Sequence, residues 1–96
     1  MAAVLACGPG AVLSHLDAAA LWKIYAGEGA RVHVTTTRAA HGPPGIRTHR
    51  TRLLHPDDLG EKSGIPVTSV ARTLVDLTDL LGTDRLLRAI REAEYL

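Results

Sequence analysis

The chain has 96 residues, of which 46% are hydrophobic and 22% charged, and its formal net charge at pH 7 is +1. That balance is ordinary for one globular domain and excludes a mostly disordered chain. A unit of this length buries roughly 60–65% of the surface its unfolded chain exposes. No apolar run approaches the ~18 residues of a membrane helix, the longest candidate being Ala18-Ala19-Ala20-Leu21-Trp22. The apolar start lacks the basic flank of a secretory signal. The single cysteine, Cys7, cannot close an internal disulfide, so a cytoplasmic location is expected. With no Phe, one Trp and two Tyr, the core must be aliphatic. Nine arginines against two lysines, with abundant alanine, fit the codons of a GC-rich bacterial genome.

In chain order, residues 2–7 read as the end of a helix stopped by Gly8-Pro9-Gly10, since Gly accepts a positive φ and Pro9 cannot continue a helix. No capping residue precedes it, so it is either a frayed turn or the second half of an element that begins before Met1. Ala11-Val12-Leu13 is a short apolar stretch. Ser14 is placed as an N-cap, with Asp17 completing a capping box in its shorter form. Its helix runs through Leu16, Ala20 and Leu21 to Trp22 or Lys23, and Gly27-Glu28-Gly29 is a loop.

Residues 31–37 alternate and are β-branched, which predicts a strand with Val32 and Val34 on one face and Arg31, His33 and Thr35 on the other. Residues 39–45 are a loop, and Ile46 to Leu53 is a second strand. The two strands are expected to form a hairpin, although a seven-residue connection exceeds the favoured two to five. Residues 54–59 read as a short turn-like connection. Residues 63–67 predict a third strand, which Pro66 confines to an edge or a strand end. Thr68 or Ser69 then caps a helix carrying Val70, Leu74, Leu77 and Leu81 at helical spacing, with Ala71 and Val75 beside them. Gly82 ends it. Thr83 caps a last helix whose apolar face is Leu86, Leu87, Ala89, Ile90 and Ala93, a pattern still running at Leu96. The expected architecture is α+β: a small, mainly antiparallel sheet with flanking helices. The helical patterns running into Met1 and Leu96 lead to the expectation that residues 1–96 are a single module truncated at both ends.

The charge is unevenly placed. From Arg31 to His55 there are five arginines (Arg31, Arg38, Arg47, Arg50, Arg52), four histidines and no acid, a local +5. From Asp57 onward eight acids face five bases, a local −3. A basic strand pair is a contact surface for an anionic partner, above all nucleic-acid phosphate. Its commoner meaning is a solvated face, or a patch answered by the domain's own acidic helices. Alternation puts Arg47 with His49 on one face and Arg50 with Arg52 on the other. No aromatic platform accompanies them.

Catalytic and cofactor signatures are sparse. No histidine pair has the spacing of a metal-binding helix, and one cysteine cannot anchor a zinc finger. His33 and His49 could oppose each other as a two-ligand site, but exposed strand histidines are the plainer reading. Ser14-His15 resembles half a hydrolase dyad, yet helix neighbours point apart. Cys7 reads as a small buried hydrophobe. Neither Gly8-Pro9-Gly10 nor Gly42-Pro43-Pro44-Gly45 has the helix-opening context of a phosphate loop. Asp76 and Asp79 read as a solvated face. No enzyme, cofactor or metal is expected.

Three blocks carry a resemblance: Ala3 to His15 followed by Ala18 to Trp22; Val32 to Thr35 followed by Gly45-Ile46-Arg47 and Arg52-Leu53; and Gly64 to Ser69 followed by Ala71-Arg72-Thr73-Leu74-Val75-Asp76-Leu77. In this order they resemble the AbiEi-type antitoxin family of bacterial toxin–antitoxin systems, over nearly the whole chain. Larger members carry such a module between an N-terminal winged helix-turn-helix and, often, a C-terminal domain similar to very-short-patch-repair endonucleases. The resemblance implies a non-catalytic regulatory module. Its partners would be DNA through the basic strands, a cognate toxin, the protein's own further domains, or a second copy of the chain, and no membrane. The alternative is a remnant of a nuclease-associated protein without activity of its own. Arg72 and Asp76, four apart on one helix, are expected to pair, with Arg72 a structural bracket tying that helix to a strand or loop carbonyl rather than a ligand-binding group.

Overall fold

The structure is a computed structural model, and it describes residues 2–26, 31–37 and 43–96. Helix α1 (Ala2–Ala6) leads into β1 (Val12–Leu13), α2 (His15–Leu21), β2 (Val32–Thr36) and β3 (Ile46–Arg50). A 3-10 turn (Pro56–Asp58), β4 (Leu59–Lys62), β5 (Ile65–Thr68), α3 (Val70–Leu77) and α4 (Thr83–Ala93) complete the chain. The expected loop at 27–29, most of the loop at 39–45, and Arg38 and His41 lie outside the described residues. The fold class is α+β, as expected.

The five strands form one sheet in the order β3-β2-β1-β5-β4. It is mixed: β1–β2 and β4–β5 are antiparallel, whereas β2–β3 and β1–β5 are parallel. This corrects the expected hairpin. Val32 pairs with Ile46 and Thr36 with Arg50, so both strands run the same way. Side-chain alternation assigns faces but carries no direction, because Val32, Val34 and Ile46 reach one face in either orientation. The connection, too long for a tight turn, was the only clue.

The sheet also has a strand that residues 54–59 did not announce. His55 caps the 3-10 turn: its Nδ1 accepts from the Asp57 N–H at 3.1 Å. β4 then pairs with β5 through a two-residue turn at Ser63-Gly64. Their φ values of 54° and 77° supply the two left-handed residues that a type I′ turn needs. Pro66 is not on an edge, since β5 lies between β1 and β4. Lys62 and Ile65 close the turn as a bonded pair, so the next pair, Glu61 with Pro66, falls at a non-bonded position. The missing N–H of Pro66 therefore costs no bond to β4. On the other side β1 meets β5 only at Leu13 and Val67.

Two aliphatic clusters hold these elements. Val4, Cys7, Ala11, Leu13, Ala18, Val34 and Val67 bind α1 and α2 to the sheet. Ala19, Ile24, Leu77 and Ala89 join α2, α3 and α4. Trp22 bridges the clusters, donating from Nε1 to the Thr68 carbonyl at 2.8 Å. Ser69 caps α3 by accepting from the Arg72 N–H. Val75 and Leu87, expected on apolar faces, are exposed. No helix among the described residues is long and apolar enough to cross a membrane.

Candidate functional site

The chemistry of this domain gathers where β1 ends. Ser14 continues β1, and its N–H donates to the His33 carbonyl at 3.1 Å. Ser14 is the N-cap of α2 in position only: its side chain makes no cap bond. Its Oγ instead accepts from Thr35 Oγ1 at 2.7 Å and lies 2.8 Å from His15 Nδ1. Asp17 does not complete a capping box either. Its carboxylate accepts from the His33 N–H at 2.6 Å, pinning α2 to β2.

His15 is the pivot. Its φ is 54°, in the left-handed region that costs an ordinary residue about 1 kcal/mol. That backbone turns the ring back toward Ser14, so the two neighbours meet rather than diverge as they would inside a helix. The ring stacks on His49, centroids 3.7 Å apart and planes at 14°. His33 stands beside it, with Nδ1 2.8 Å from His49 Nε2. The three rings form one pile on the sheet face that carries Thr35. His33 is 7% exposed and His15 8%, while His49 is half-buried. The reading of exposed strand histidines is thereby corrected. His33 and His49 do meet, but across a parallel pair: His33 registers with Arg47 and Thr35 with His49, so the two rings touch diagonally.

Asp76 of α3 closes this cluster from the helical side. Its side chain is 11% exposed, not solvated as sequence alone implied. Oδ1 accepts from Arg72 Nε at 3.0 Å, and Oδ2 lies 4.0 Å from His15 Nδ1. Oδ2 is buried and has no hydrogen-bond partner. Arg72 reaches on to Asp58 Oδ2 at 3.2 Å. Arg72 does tie α3 to the 3-10 turn, but through the Asp58 carboxylate and not through the strand or loop carbonyl expected.

The electrostatics follow from burial. Burial pulls His15 down to about 4, helped by the neighbouring His33 and Arg72 charges. Burial also brings His49 to about 4, with His15 and His33 adding to it. Burial lowers His33 as well, against the opposing pull of Asp17. All three rings are therefore neutral at pH 7. The His33–His49 hydrogen bond is consistent with this, since its acceptor nitrogen must be unprotonated. Burial raises the Asp76 carboxyl, and the Arg72 bond pulls it back.

The cluster is not a Ser–His–Asp relay. Ser14 Oγ and Asp76 Oδ2 both face Nδ1 of His15, whereas a relay needs its nucleophile and its acid on opposite ring nitrogens. Ser14 is moreover fully buried. What the cluster offers is a set of imidazole nitrogens: one from each of His15, His33 and His49 lies within 4.8 Å of the others.

The basic residues lie elsewhere. β3 is an edge strand, and Arg47 and Arg50 on it are exposed, as are Arg31 before β2 and Arg52 after β3. Arg47 lies on the histidine face and Arg50 on the opposite one. Arg50 and Arg52 line one shallow cleft with Thr37 and Thr51. The four described arginines of this group, Arg31, Arg47, Arg50 and Arg52, are thus not a single patch on one face. Arg85, Arg88 and Arg91 form a second, predominantly basic group, lining a groove on α4 with Glu92, Ile24, Tyr25 and Ala26. Their three-residue spacing was its signal, hidden by averaging over an acidic C-terminal half.

No protein-family model matches the chain, and no curated protein matches it.

Proposed function

We propose that this domain is an antitoxin-like regulatory and binding module of a bacterial toxin–antitoxin system, which meets DNA phosphate through the arginines around its β3 edge. The reading rests on the three resembling blocks of sequence. The structural observation that carries it is the exposure of Arg31, Arg47, Arg50 and Arg52 about one edge strand, with no acid between Arg31 and His55. Arg47 and Arg50 stand about 10 Å apart along the strand at ~3.3 Å per residue, far enough to meet separate phosphates. The cluster behind them, bracketed by Arg72 and Asp76, holds β2, β3, α2 and α3 in place beneath that edge. A cognate toxin, further domains or a second copy of the chain are the protein partners this reading calls for, in the cytoplasm of the cell.

A duplex titration at two salt concentrations tests it. Four neutralised phosphates give a slope of about −3.6 in log K against log salt, so affinity falls by roughly 100-fold between 50 and 200 mM salt. Arg50→Glu with Arg52→Glu should abolish binding, while Arg88→Glu with Arg91→Glu should leave most of it. No binding at 50 mM salt would sink the DNA reading. Loss only in the α4 variant would move the contact to the other groove.

A further inference from the structure

We infer that His15, His33 and His49 form a three-histidine site for a divalent transition-metal ion, zinc foremost. The inference is independent of the DNA reading and uses none of its arginines.

The donor set comes first. Three imidazoles from three different elements present nitrogens within 4.8 Å of one another at the end of β1. Imidazole is the preferred ligand of zinc, cobalt and nickel, and three histidines with one open position is a recurring zinc arrangement. The distances suit it. Two nitrogens each about 2.05 Å from one zinc lie roughly 2.9–3.4 Å apart for angles between 90° and tetrahedral. His33 Nδ1 and His49 Nε2 are already 2.8 Å apart. The third nitrogen, on His15, lies within 4.8 Å of the other two, so ion binding needs only a side-chain adjustment of His15 that keeps Nδ1 in reach of Ser14 Oγ.

The surroundings come second. A metal-bound histidine usually anchors its other ring nitrogen on an oxygen. For His15 that nitrogen is Nδ1, 2.8 Å from Ser14 Oγ, with the unpartnered Asp76 Oδ2 4.0 Å away. This leaves Nε2 of His15 to face the ion. Thr35 fixes Ser14 in turn, and Asp17 fixes the His33 backbone. Asp76 also supplies the negative charge that three neutral ligands lack. The left-handed backbone of His15 is a strain held by the fold at the residue the site most needs.

The test uses the full chain without a polyhistidine tag, freed of metal with EDTA. Isothermal titration with zinc should give one ion per chain, and zinc should raise the melting temperature. Cobalt in its place should give the visible absorption of a four- or five-coordinate ion. His49→Gln and His33→Gln should each weaken zinc at least as much as loss of an outer-sphere partner does, roughly 10–100-fold. His55→Gln, at an exposed position outside the cluster, should leave the zinc affinity unchanged, whatever the loss of its turn cap does to the melting temperature. If a cluster variant fails to fold, the cobalt spectrum of the unaltered chain and the zinc-induced shifts of its imidazole resonances decide instead. No uptake of zinc, cobalt or nickel by the unaltered chain overturns the inference. So does stoichiometric zinc binding that survives both His33→Gln and His49→Gln.

Discussion

Replacing Arg72 with alanine isolates the interaction that joins the helical layer to the turn before β4. The guanidinium is 22% exposed and contacts two carboxylates, Asp58 at 31% and Asp76 at 11% exposure. The outer contact is partly solvated and contributes about 0.5 kcal/mol after screening. The inner one differs. Stripping the partner from a buried charge costs ~3–5 kcal/mol, reduced here because Arg72 is itself partly exposed. A second limit is chemical: burial already raises Asp76, so the orphaned carboxylate can take up a proton rather than stay charged. Arg72→Ala should therefore cost about 2–3 kcal/mol at pH 7, a fall in melting temperature of roughly 10–20 °C for a domain of this size. The decisive background is Asp76→Asn, which keeps the shape and removes the charge. There Arg72→Ala should cost only about 1 kcal/mol, so a double-mutant cycle should return a coupling of roughly 1–2 kcal/mol. Thermal unfolding followed by circular dichroism measures all four proteins. Equal costs in the two backgrounds would show that Arg72 is not coupled to the Asp76 charge, and the argument from that pair would be wrong.

Other outcomes follow from the same structure. In metal-free protein, His15 and His49 stay neutral in the fold down to about pH 4. In the unfolded chain they take up protons near pH 6.5, so between those values the unfolded state binds more protons and stability falls as pH falls. The loss should be complete near pH 4, with a ceiling of roughly 3 kcal/mol for His15; a flat stability profile from pH 7 to 4.5 would contradict the burial of these rings. Gly64 sits at φ 77° with open space around it, so Gly64→Ala is strained by its backbone alone and should cost about 1 kcal/mol in urea unfolding. Gly60 is the contrast: an added Cβ would meet Trp22 Cζ2 at an ordinary 3.6 Å, so Gly60→Ala should be neutral or stabilise by ~0.5 kcal/mol. Leu77 is fully buried between α2 and α4, and Leu77→Ala should cost about 2–5 kcal/mol, read as a lower midpoint in urea unfolding.

Much of the local structure was legible in the residues. The β-branched alternation at 32–36, the Gly8-Pro9-Gly10 stop, the Ser69 cap and the helical spacing of Val70, Leu74 and Leu77 each follow from short-range sterics and hydrogen bonding. Those forces act within a few residues, so a sequence window contains them. The Arg72–Asp76 pair was legible for the same reason, being one helical turn. Strand direction was not. Period-two alternation is identical for parallel and antiparallel neighbours, and β4, with Gly60, Glu61 and Lys62, lacks the β-branched run that marks a strand. Its pairing comes from the tight turn at Ser63-Gly64, not from its own residues.

The candidate site shows the division most plainly. Composition and charge by themselves indicated an aliphatic core and a basic middle stretch, and the residues carried few catalytic motifs. They also put His33 on the polar face of its strand. The tertiary structure alone decided that this polar face is buried. It turned His15 back through one left-handed residue, placed His49 beside His33 across a parallel register, and aimed an unpartnered oxygen of Asp76 at the group. Residues 15, 33, 49 and 76 span most of the chain, and no local spacing relates them. Only the closure of the sheet and the packing of α3 bring them within a few ångströms, because long-range contacts are set by which surfaces exclude water together rather than by sequence distance.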